Sequence, residues 1–354
     1  MPERPLPDWD NLSFSFIETD WIYRAEGDIG RKPLWDDGKF LPFGGIEVSP
    51  AAAFMSYGLG VFEGLKAQRS VDGRVLLFRH GSNAERFRKS AERLLLAPFP
   101  VERFTSAVEE IVRRNMRFVP PHGKGTFYIR PIEVGSEARL GLGPVARFLV
   151  IMYGSPVGGY FSKGKKGAGP AGVRLQALEQ GRVAPGGTGS AKAMGNYAGG
   201  IMIAHIWKQK GFDDVLYLDA HERKYITETS GSNVFVVLKS GGIVTPPLDD
   251  QILPGVTRDS AIRVAREVLK IRVDERPIEI GEALSDGEEM FCTGTAWTVQ
   301  SVREVVHGGR AHAFPKTETR KAILDIILGI QTGERPDPFG WTKEVAVEPA
   351  GARR

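Results

Sequence analysis

The chain has 354 residues, of which 42% are hydrophobic and 25% are charged, a composition and length that suit a globular protein of two domains. Its net charge is only +4, and bases and acids are interspersed, so the sequence carries no nucleic-acid-binding or membrane-binding footprint. The single cysteine, Cys292, excludes an internal disulfide and a zinc cluster.

The first ten residues contain three prolines and three acidic residues, which is unlike a secretory signal or a transit peptide. No run of about 18 apolar residues long enough to span a bilayer occurs. Together with the lone cysteine, which fits a reducing compartment, these features predict a cytoplasmic protein.

In the N-terminal half, breakers divide residues 14–50 into short strands and turns, and a strand is expected over 74–79. The Ser82-Asn-Ala-Glu85 pattern is a capping box and predicts that a helix follows. A second helix is predicted over 103–118, and strands over 126–134 and 147–153.

Two arginines in this half have alternative interpretations. Arg86 lies near the start of the first predicted helix, where it is either a solvated helix residue or a group aimed at a phosphate. Arg130 shares one strand face with Tyr128 and is either an edge-strand residue or a site residue.

Seven glycines between Gly154 and Gly172 mark a linker or a mobile lid. We therefore predict an N-terminal domain over 1–155, a connecting loop over 156–172 and a C-terminal domain over 173–354.

A glycine-rich loop follows, and Lys192 sits at its junction with a predicted helix over 196–210. Its neighbours are small or apolar. A lysine in such a place is either solvated on a loop or desolvated, and desolvation lowers its pKa and frees the amine as a nucleophile for a carbonyl.

Strands are predicted over 214–218, 225–229, 233–238 and around 289–306, and a helix over 258–270. Glu228 stands beside small polar residues between two strands, either as a turn carboxylate or as a site residue. The Pro-Gly turn before Thr257 either delivers free N–H groups to an anion or is a helix start capped by Thr257.

A candidate lysine nucleophile, phosphate-binding elements and an acid between strands suit pyridoxal phosphate. Its aldehyde condenses with a lysine amine, and its phosphate needs an arginine and backbone donors. Its ring nitrogen stays protonated beside a carboxylate.

The segments that carry this chemistry resemble those of the branched-chain amino-acid aminotransferases, which are fold type IV pyridoxal-phosphate enzymes. The resemblance runs from about Trp9 to about Lys343, and the motifs occur in the family's order. They are Tyr57-Gly…Phe62-Glu-Gly-Leu-Lys66, Tyr128-Ile-Arg130-Pro131, Gly187-Thr-Gly…Lys192-Ala-Met-Gly-Asn-Tyr197, Glu228…Asn233, Leu253-Pro-Gly-Val-Thr-Arg258 and Gly294-Thr-Ala296.

The resemblance implies a two-domain architecture of the α+β or α/β class, with a smaller N-terminal α/β domain and a larger C-terminal domain built on a β-barrel-like core. It also implies transamination of leucine, isoleucine and valine with 2-oxoglutarate, no metal, and a homodimer in which the Tyr57–Lys66 segment lies near a neighbour's pocket.

Residue roles follow from the same resemblance. Lys192 corresponds to the lysine that forms the Schiff base with the cofactor. The implied cofactor-binding residues are Arg86, Val256, Thr257 and Thr295 for the phosphate, Tyr197 for the phenolic oxygen and Glu228 for the ring nitrogen. The implied substrate-binding residues are Tyr57, Phe62, Tyr128, Arg130, Tyr160 and Ala296.

The sequence departs from the mammalian members at Trp297 and Gln300, which replace the two cysteines of a redox switch. The rivals within the fold are D-amino-acid transaminase and aminodeoxychorismate lyase. The rival from another class is a non-catalytic basic binding module.

Overall fold

The computed structural model describes residues 4–158 and 172–346. These residues form two compact units, one made of 4–158 together with 329–346 and the other of 172–328. No helix among the described residues combines the length and the apolar composition needed to cross a bilayer.

The first unit is built on one eight-stranded sheet in which every pair of strands is antiparallel. The strand order is β17-β5-β4-β6-β7-β1-β2, and the short β3 also pairs with β6. The strands are β1 (Trp21–Asp28), β2 (Lys39–Pro42), β3 (Gly60–Phe62), β4 (Leu65–Arg69), β5 (Val75–Phe78), β6 (Thr126–Gly135), β7 (Arg147–Val157) and β17 (Thr342–Glu344).

Three helices accompany this sheet: α1 (Ala53–Tyr57), α2 (His80–Arg93) and α3 (Val101–Arg114). The apolar faces of α2 and α3 meet at Phe87 and Phe104, whose ring centroids are 5.2 Å apart. With the buried Phe127 and Ile129 of β6 they form the core of the unit. This core takes one side of each strand, so the alternate side chains of β6 face the other way.

The helix at 80–93 begins earlier than its sequence suggests. The residue before it, Arg79, has a left-handed φ of 50°, and no side chain caps the first turn. The predicted capping box at Ser82–Glu85 is therefore wrong, because those residues already lie inside the helix.

The second unit is built on a nine-stranded sheet that closes on itself. The order β10-β9-β8-β15-β14-β11 is completed by a pairing of β10 with β11, which makes a six-stranded barrel, and β12, β13 and β16 lie outside the ring. The strands are β8 (Val173–Leu178), β9 (Asp214–Leu218), β10 (Ile226–Thr229), β11 (Asn233–Leu238), β12 (Ile243–Thr245), β13 (Val273–Glu275), β14 (Gly287–Gly294), β15 (Thr298–His307) and β16 (Arg310–Ala313). The barrel-like core expected for the C-terminal domain is confirmed.

The helices of the second unit are short except for the last one. They are α4 (Met194–Ala198), α5 (Ile201–Gln209), α6 (Val256–Arg263), which a π-helical turn continues over Val264–Val268, α7 (Ile280–Asp286) and α8 (Glu318–Gln331), whose last three residues lie beyond the unit boundary at 328/329. The single helix predicted over 196–210 is two helices, since the chain breaks between α4 and α5 at Gly199-Gly200.

The division into units differs from the predicted domains at the C-terminal end. Residues 329–346 group with the first unit because β17 pairs with β5 and Gln331 bonds to the side chain of Gln68 at 3.0 Å. The C-terminal unit is thus shorter than predicted. Most of the predicted connecting loop, 159–171, lies outside the described residues.

Candidate active site

The glycine-rich loop that carries Lys192 is folded around one asparagine. The Asn196 side chain donates to the carbonyls of Thr188 and Ala191 at 2.6 and 3.0 Å, and it accepts from the Thr188 hydroxyl at 2.7 Å. Gly189 lies so close to the 249–252 segment that a β-carbon there would stand 2.5 Å from the Gln251 carbonyl oxygen. These contacts fix the backbone on which Lys192 sits.

Lys192 itself is half-buried between two buried alanines, Ala191 and Ala193. Its Nζ donates to the hydroxyl of Tyr197, one turn into α4, at 2.8 Å. The interpretation of Lys192 as a solvated surface lysine is therefore wrong. Its amine is held in one place beside a phenol, as a nucleophile requires.

Glu228, in β10, is 4% exposed and faces three partners. Its carboxylate pairs with the guanidinium of Arg182 at 2.6 Å and accepts weaker bonds from Asn233 Nδ2 and the Leu253 N–H, both at 3.4 Å. Burial raises the pKa of Glu228 to about 7, against the lowering effect of the Arg182 and Lys192 charges. A surface-turn carboxylate would have no such environment, so that alternative is wrong as well.

The N-terminus of α6 is placed by Asn233. Its side chain donates to the Leu253 carbonyl at 2.9 Å, and a β-carbon on Gly255 would lie 2.1 Å from its Oδ1. The helix starts at Val256 after Gly255, and no side chain caps it. Thr257 is therefore a buried residue of the first turn and not the predicted N-cap.

Thr295 and Ala296 form the turn between β14 and β15. A β-carbon on the preceding Gly294 would lie 3.8 Å from the Ser232 hydroxyl, so this turn is close to the connection between β10 and β11. The hydroxyls of Ser232 and Thr293 are buried and have no hydrogen-bond partner among residues 4–158 and 172–346.

The residues of the second unit fit pyridoxal phosphate. An amine is held beside a phenol, a buried carboxylate lies within electrostatic reach of that amine, and a helix begins without a side-chain cap. The buried hydroxyls of Ser232 and Thr293, which have no hydrogen-bond partner among the described residues, lie near the same turns and can bond to a ligand. This is the donor set that an aldehyde, a pyridine nitrogen and a phosphate call for.

The first unit gathers three of the predicted substrate residues on the sheet face opposite its helices. The guanidinium of Arg130 lies 4.9 Å from the ring centroid of Phe62 and 5.3 Å from that of Tyr128, and its Nη2 donates to the Tyr128 hydroxyl at 3.3 Å. β6 is an interior strand, so the edge-strand interpretation of Arg130 is wrong. Pro131 is tolerated there because it faces the break between β3 and β4.

Two further substrate residues were predicted in this part of the chain, and the structure describes one of them, Tyr57. Tyr57 ends α1, is 43% exposed, and donates its hydroxyl to the carbonyl of Leu140. No hydrogen bond or ring contact in the described parts of the chain joins Tyr57 to Arg130. Tyr160 lies outside the described residues.

Arg86 is 8% exposed, so it is not the solvated helix residue that composition favours. Its Nε and Nη2 donate to the two carboxylate oxygens of the fully buried Glu63, at 2.7 and 2.9 Å, and Asn83 donates to the same carboxylate at 2.8 Å.

Sequence reasoning missed Glu63 and Arg182 as partners of predicted site residues. Glu63 belongs to the Phe62-Glu-Gly motif, and an acid within that otherwise apolar segment could have been predicted to be buried and paired with a cation. Arg182 had no such signal, because it stands in an irregular segment far along the chain from Glu228.

Comparison with known proteins agrees with this geometry. A family model described as amino-transferase class IV matches residues 60–305. The fold and the site define a pyridoxal-phosphate enzyme whose lysine, Lys192, lies on the loop that follows barrel strand β8. The chain belongs to the class IV aminotransferases.

Individual relatives are similar over nearly the whole chain. The chloroplastic branched-chain amino acid aminotransferase 2 of Humulus lupulus is 41% identical over 96% of this chain and 82% of its own length. The mitochondrial branched-chain aminotransferase 1 of Arabidopsis thaliana is 40% identical, over 96% and 86%. A methionine aminotransferase of Arabidopsis thaliana is 38% identical, over 95% and 93%.

Solved structures show the same family. The Escherichia coli branched-chain aminotransferase superposes with a TM-score of 0.78 at 27% identity, covering 93% of this chain and 100% of that one. The T.th. branched-chain amino acid aminotransferase, solved with pyridoxamine 5'-phosphate, gives 0.74 at 29% identity with the same coverage.

The prediction of a cytoplasmic location is contradicted by the branched-chain aminotransferases of Humulus lupulus and Arabidopsis thaliana whose names place them in chloroplasts or mitochondria. The prediction was made from the composition of the first ten residues and from one cysteine. Organelle addresses are read by receptors, so the composition of a folded domain does not report them.

Proposed function

We propose that this chain transfers the amino group of leucine, isoleucine or valine to 2-oxoglutarate, giving branched-chain 2-oxo acids and glutamate, with pyridoxal phosphate as cofactor. The observation that carries the proposal is the hydrogen bond from Lys192 to Tyr197, together with the buried Glu228, whose pKa is raised by burial and lowered in part by the charge of Lys192. When bound, pyridoxal phosphate supplies the electron sink that stabilises negative charge at the substrate α-carbon.

The roles that we propose for the second unit are those implied by the family resemblance, and the contacts of its residues support them. Lys192 would hold the cofactor through its aldehyde and would move the proton at the substrate α-carbon. Tyr197 holds the phenolic oxygen, and Glu228 keeps the proton on the ring nitrogen. The uncapped start of α6, at Val256 and Thr257, and the Thr295 hydroxyl bind phosphate, and Ala296 borders the substrate.

The roles of the first unit rest on the family resemblance and on one cluster. We assign Phe62 and Tyr128 to the apolar wall of the substrate pocket and Arg130 to the cation that accepts an acidic side chain, because all three are in contact on one sheet face. Tyr57 and Tyr160 are assigned to the substrate and Arg86 to the phosphate on resemblance alone.

The first test replaces the lysine. Lys192→Ala should leave a folded protein that binds the cofactor only noncovalently and has no transaminase activity, since Lys192 supplies the amine that the aldehyde would bind. The control is Lys321→Ala, which removes an exposed lysine of α8. Near-native turnover in Lys192→Ala would refute the assignment.

The second test separates the substrates. Purified protein is assayed with L-leucine, L-methionine, D-alanine and aminodeoxychorismate, and L-leucine should give the highest kcat/KM. Methionine is included because one relative is named for it. A colourless protein with no absorbance band that borohydride abolishes would favour the binding-module alternative.

We also propose that the enzyme is a homodimer. Met55 and Tyr57 in α1 and Ile201, Met202 and Ile206 in α5 expose large apolar side chains, as surfaces that meet a second copy do.

A further inference from the structure

Arg182 lies between β8 and the glycine-rich loop that carries Lys192, and its side chain is 5% exposed. Its Nη2 reaches Glu228 Oε1 at 2.6 Å, the Gly189 carbonyl at 3.3 Å and the Gln251 carbonyl at 3.4 Å. One guanidinium nitrogen thus touches the acid of β10, the loop that carries Lys192, and the segment that leads into α6. No other described cation is paired with the Glu228 carboxylate.

The physical effect of this placement has a definite sign. A buried carboxylate without a cation takes up a proton, because burial penalises the charged form. A neutral Glu228 could no longer favour a proton on a ring nitrogen, since that proton would remain on the acid. A fixed positive charge at 2.6 Å favours the carboxylate form instead.

We propose that Arg182 is a positioning residue that keeps Glu228 ionised and thereby sets the pH range in which the enzyme binds pyridoxal phosphate productively. The proposal rests on the assignment of Glu228 to the ring nitrogen. Arg182 does not touch the cofactor; it acts through Glu228 and through the two carbonyls that it holds.

Among the described residues, few charged and polar groups face Glu228, so a change in the pH profile of cofactor binding can be traced to one of them. They are Arg182 from the segment after β8, Lys192 from the glycine-rich loop, Asn233 from β11 and the Leu253 N–H. Lys192 is the group that would react with the aldehyde, so Arg182 is the cation beside the acid that takes no part in that reaction.

The experiment measures cofactor binding and not turnover. Apoprotein is titrated with pyridoxal phosphate at pH values from about 5.5 to 9, and binding is followed by the quenching of tryptophan fluorescence. The variants are Arg182→Met, Arg182→Lys, Glu228→Gln and the double variant Arg182→Met/Glu228→Gln. The cofactor's own titrations are common to all of them and cancel in the comparison.

In Arg182→Met the acid limb of the binding profile should move up by about one pH unit or more, the size of shift that a removed opposite charge causes. Affinity at pH 7 should fall roughly ten- to a hundredfold, as it does when the partner of a ligating group is lost. Arg182→Lys keeps the positive charge, so the acid limb of its binding profile should lie where it does in the unaltered protein. In the Glu228→Gln background, Arg182→Met should move it little.

Two results would overturn the inference, and they are distinguishable. If Arg182→Met weakens binding equally at every pH and in both backgrounds, Arg182 only supports the loops, and the role of Glu228 stands. If Glu228→Gln alone leaves the profile unchanged, the assignment of Glu228 fails, and the role of Arg182 fails with it. Should Arg182→Met not fold, Arg182→Gln, which can still donate to the two carbonyls, takes its place.

Discussion

Arg130 is held between two aromatic rings, with its guanidinium stacked on Phe62 and Tyr128. This arrangement suits a pocket that must accept leucine and glutamate in turn. An arginine stacked on aromatic rings presents an apolar surface to an apolar side chain, and it still has donors for a carboxylate.

Arg130→Met should therefore harm glutamate far more than leucine. Losing one partner of a desolvated charge pair costs roughly 2–5 kcal/mol, which is about 30-fold or more in transition-state binding. Leucine should lose only packing, about 1 kcal/mol. The measurement is kcat/KM for both half-reactions, with the exposed Arg147→Met as the control. Equal losses for both substrates would mean that Arg130 is structural or binds the α-carboxylate common to both.

Glu133 is a buried acid that the proposed chemistry does not use. It lies in β6 at 0% exposure, opposite Val61 and Val150, and neither carboxylate oxygen has a partner among the described residues. Burial raises the pKa of Glu133 well above its usual value. The folded protein thus keeps this proton at pH values where the unfolded chain has lost it.

The sign of the stability effect follows. Below the unfolded pKa the acid is neutral in both states and costs nothing extra. As pH rises from there towards the folded pKa, the unfolded state alone releases the proton, so the free energy of unfolding falls. Glu133→Gln should flatten this part of the melting-temperature profile, and Glu133→Leu should raise stability at pH 7 by about 1–3 kcal/mol. The exposed Glu85→Gln is the control. A lower melting temperature in Glu133→Leu would show that the carboxyl has a partner in the assembled protein.

Cys292 is the single thiol and lies in β14 at 1% exposure, where burial raises its pKa. Such a thiol has little thiolate character. Its inertness towards mild oxidants remains a prediction.

At the scale of elements, local pattern predicted most strands well. The predicted strands over 214–218 and 233–238 coincide with β9 and β11, because their apolar residues are nearly continuous and breakers bound them. Helix starts were less predictable. The capping-box pattern at Ser82 also occurs inside a helix, where its side chains have no free N–H group to satisfy.

Pairings between distant segments left no local signal. The pairings of β8 with β15 and of β11 with β14 in the barrel, and the return of β17 to β5, depend on strands whose sequences look like any other short strand. The same limit applies to the site. Lys192 and Glu228 could be proposed from motifs, but the contact of Arg182 with Glu228 arises only when the barrel brings the two segments together.

Gly255 tests how one element positions another. A β-carbon there would lie 2.1 Å from Asn233 Oδ1, so Gly255→Ala must displace either the asparagine or the start of α6. We expect weaker binding of pyridoxal phosphate to the apoprotein and a lower melting temperature. Gly281→Ala is the matched control, because a β-carbon at that position of α7 meets nothing within 4 Å. That change should stabilise the fold by about 0.5–1 kcal/mol. Unchanged cofactor affinity in Gly255→Ala would contradict the contact.

At the scale of the whole molecule, the described residues leave an apolar face of α5 exposed. No residue of this nine-residue helix is buried, although most of its side chains are apolar. Ile201 and Met202 are each 67% exposed and Ile206 is 39% exposed. Met202 and Ile206 are four residues apart and therefore share one face of the helix, and Ile201 borders that face.

If that face meets a second copy of the chain, one acid placed on it should break the assembly. Met202→Glu would bury a charge without a partner in the interface, which costs far more than the methionine packing it replaces. We expect sedimentation velocity to show a dimer for the unaltered protein and a monomer, or a dimer with strongly raised Kd, for Met202→Glu. Val71→Glu is the matched control, since Val71 is 59% exposed at a turn and belongs to the first unit, whereas α5 belongs to the second. It should leave the dimer intact.

Activity should fall with dimer content as Met202→Glu is diluted, because the Tyr57–Lys66 segment of one copy is proposed to lie near the pocket of the other. A fully active monomer would refute both the dimer and the shared pocket, whereas a dimer unaffected by Met202→Glu would move the interface elsewhere.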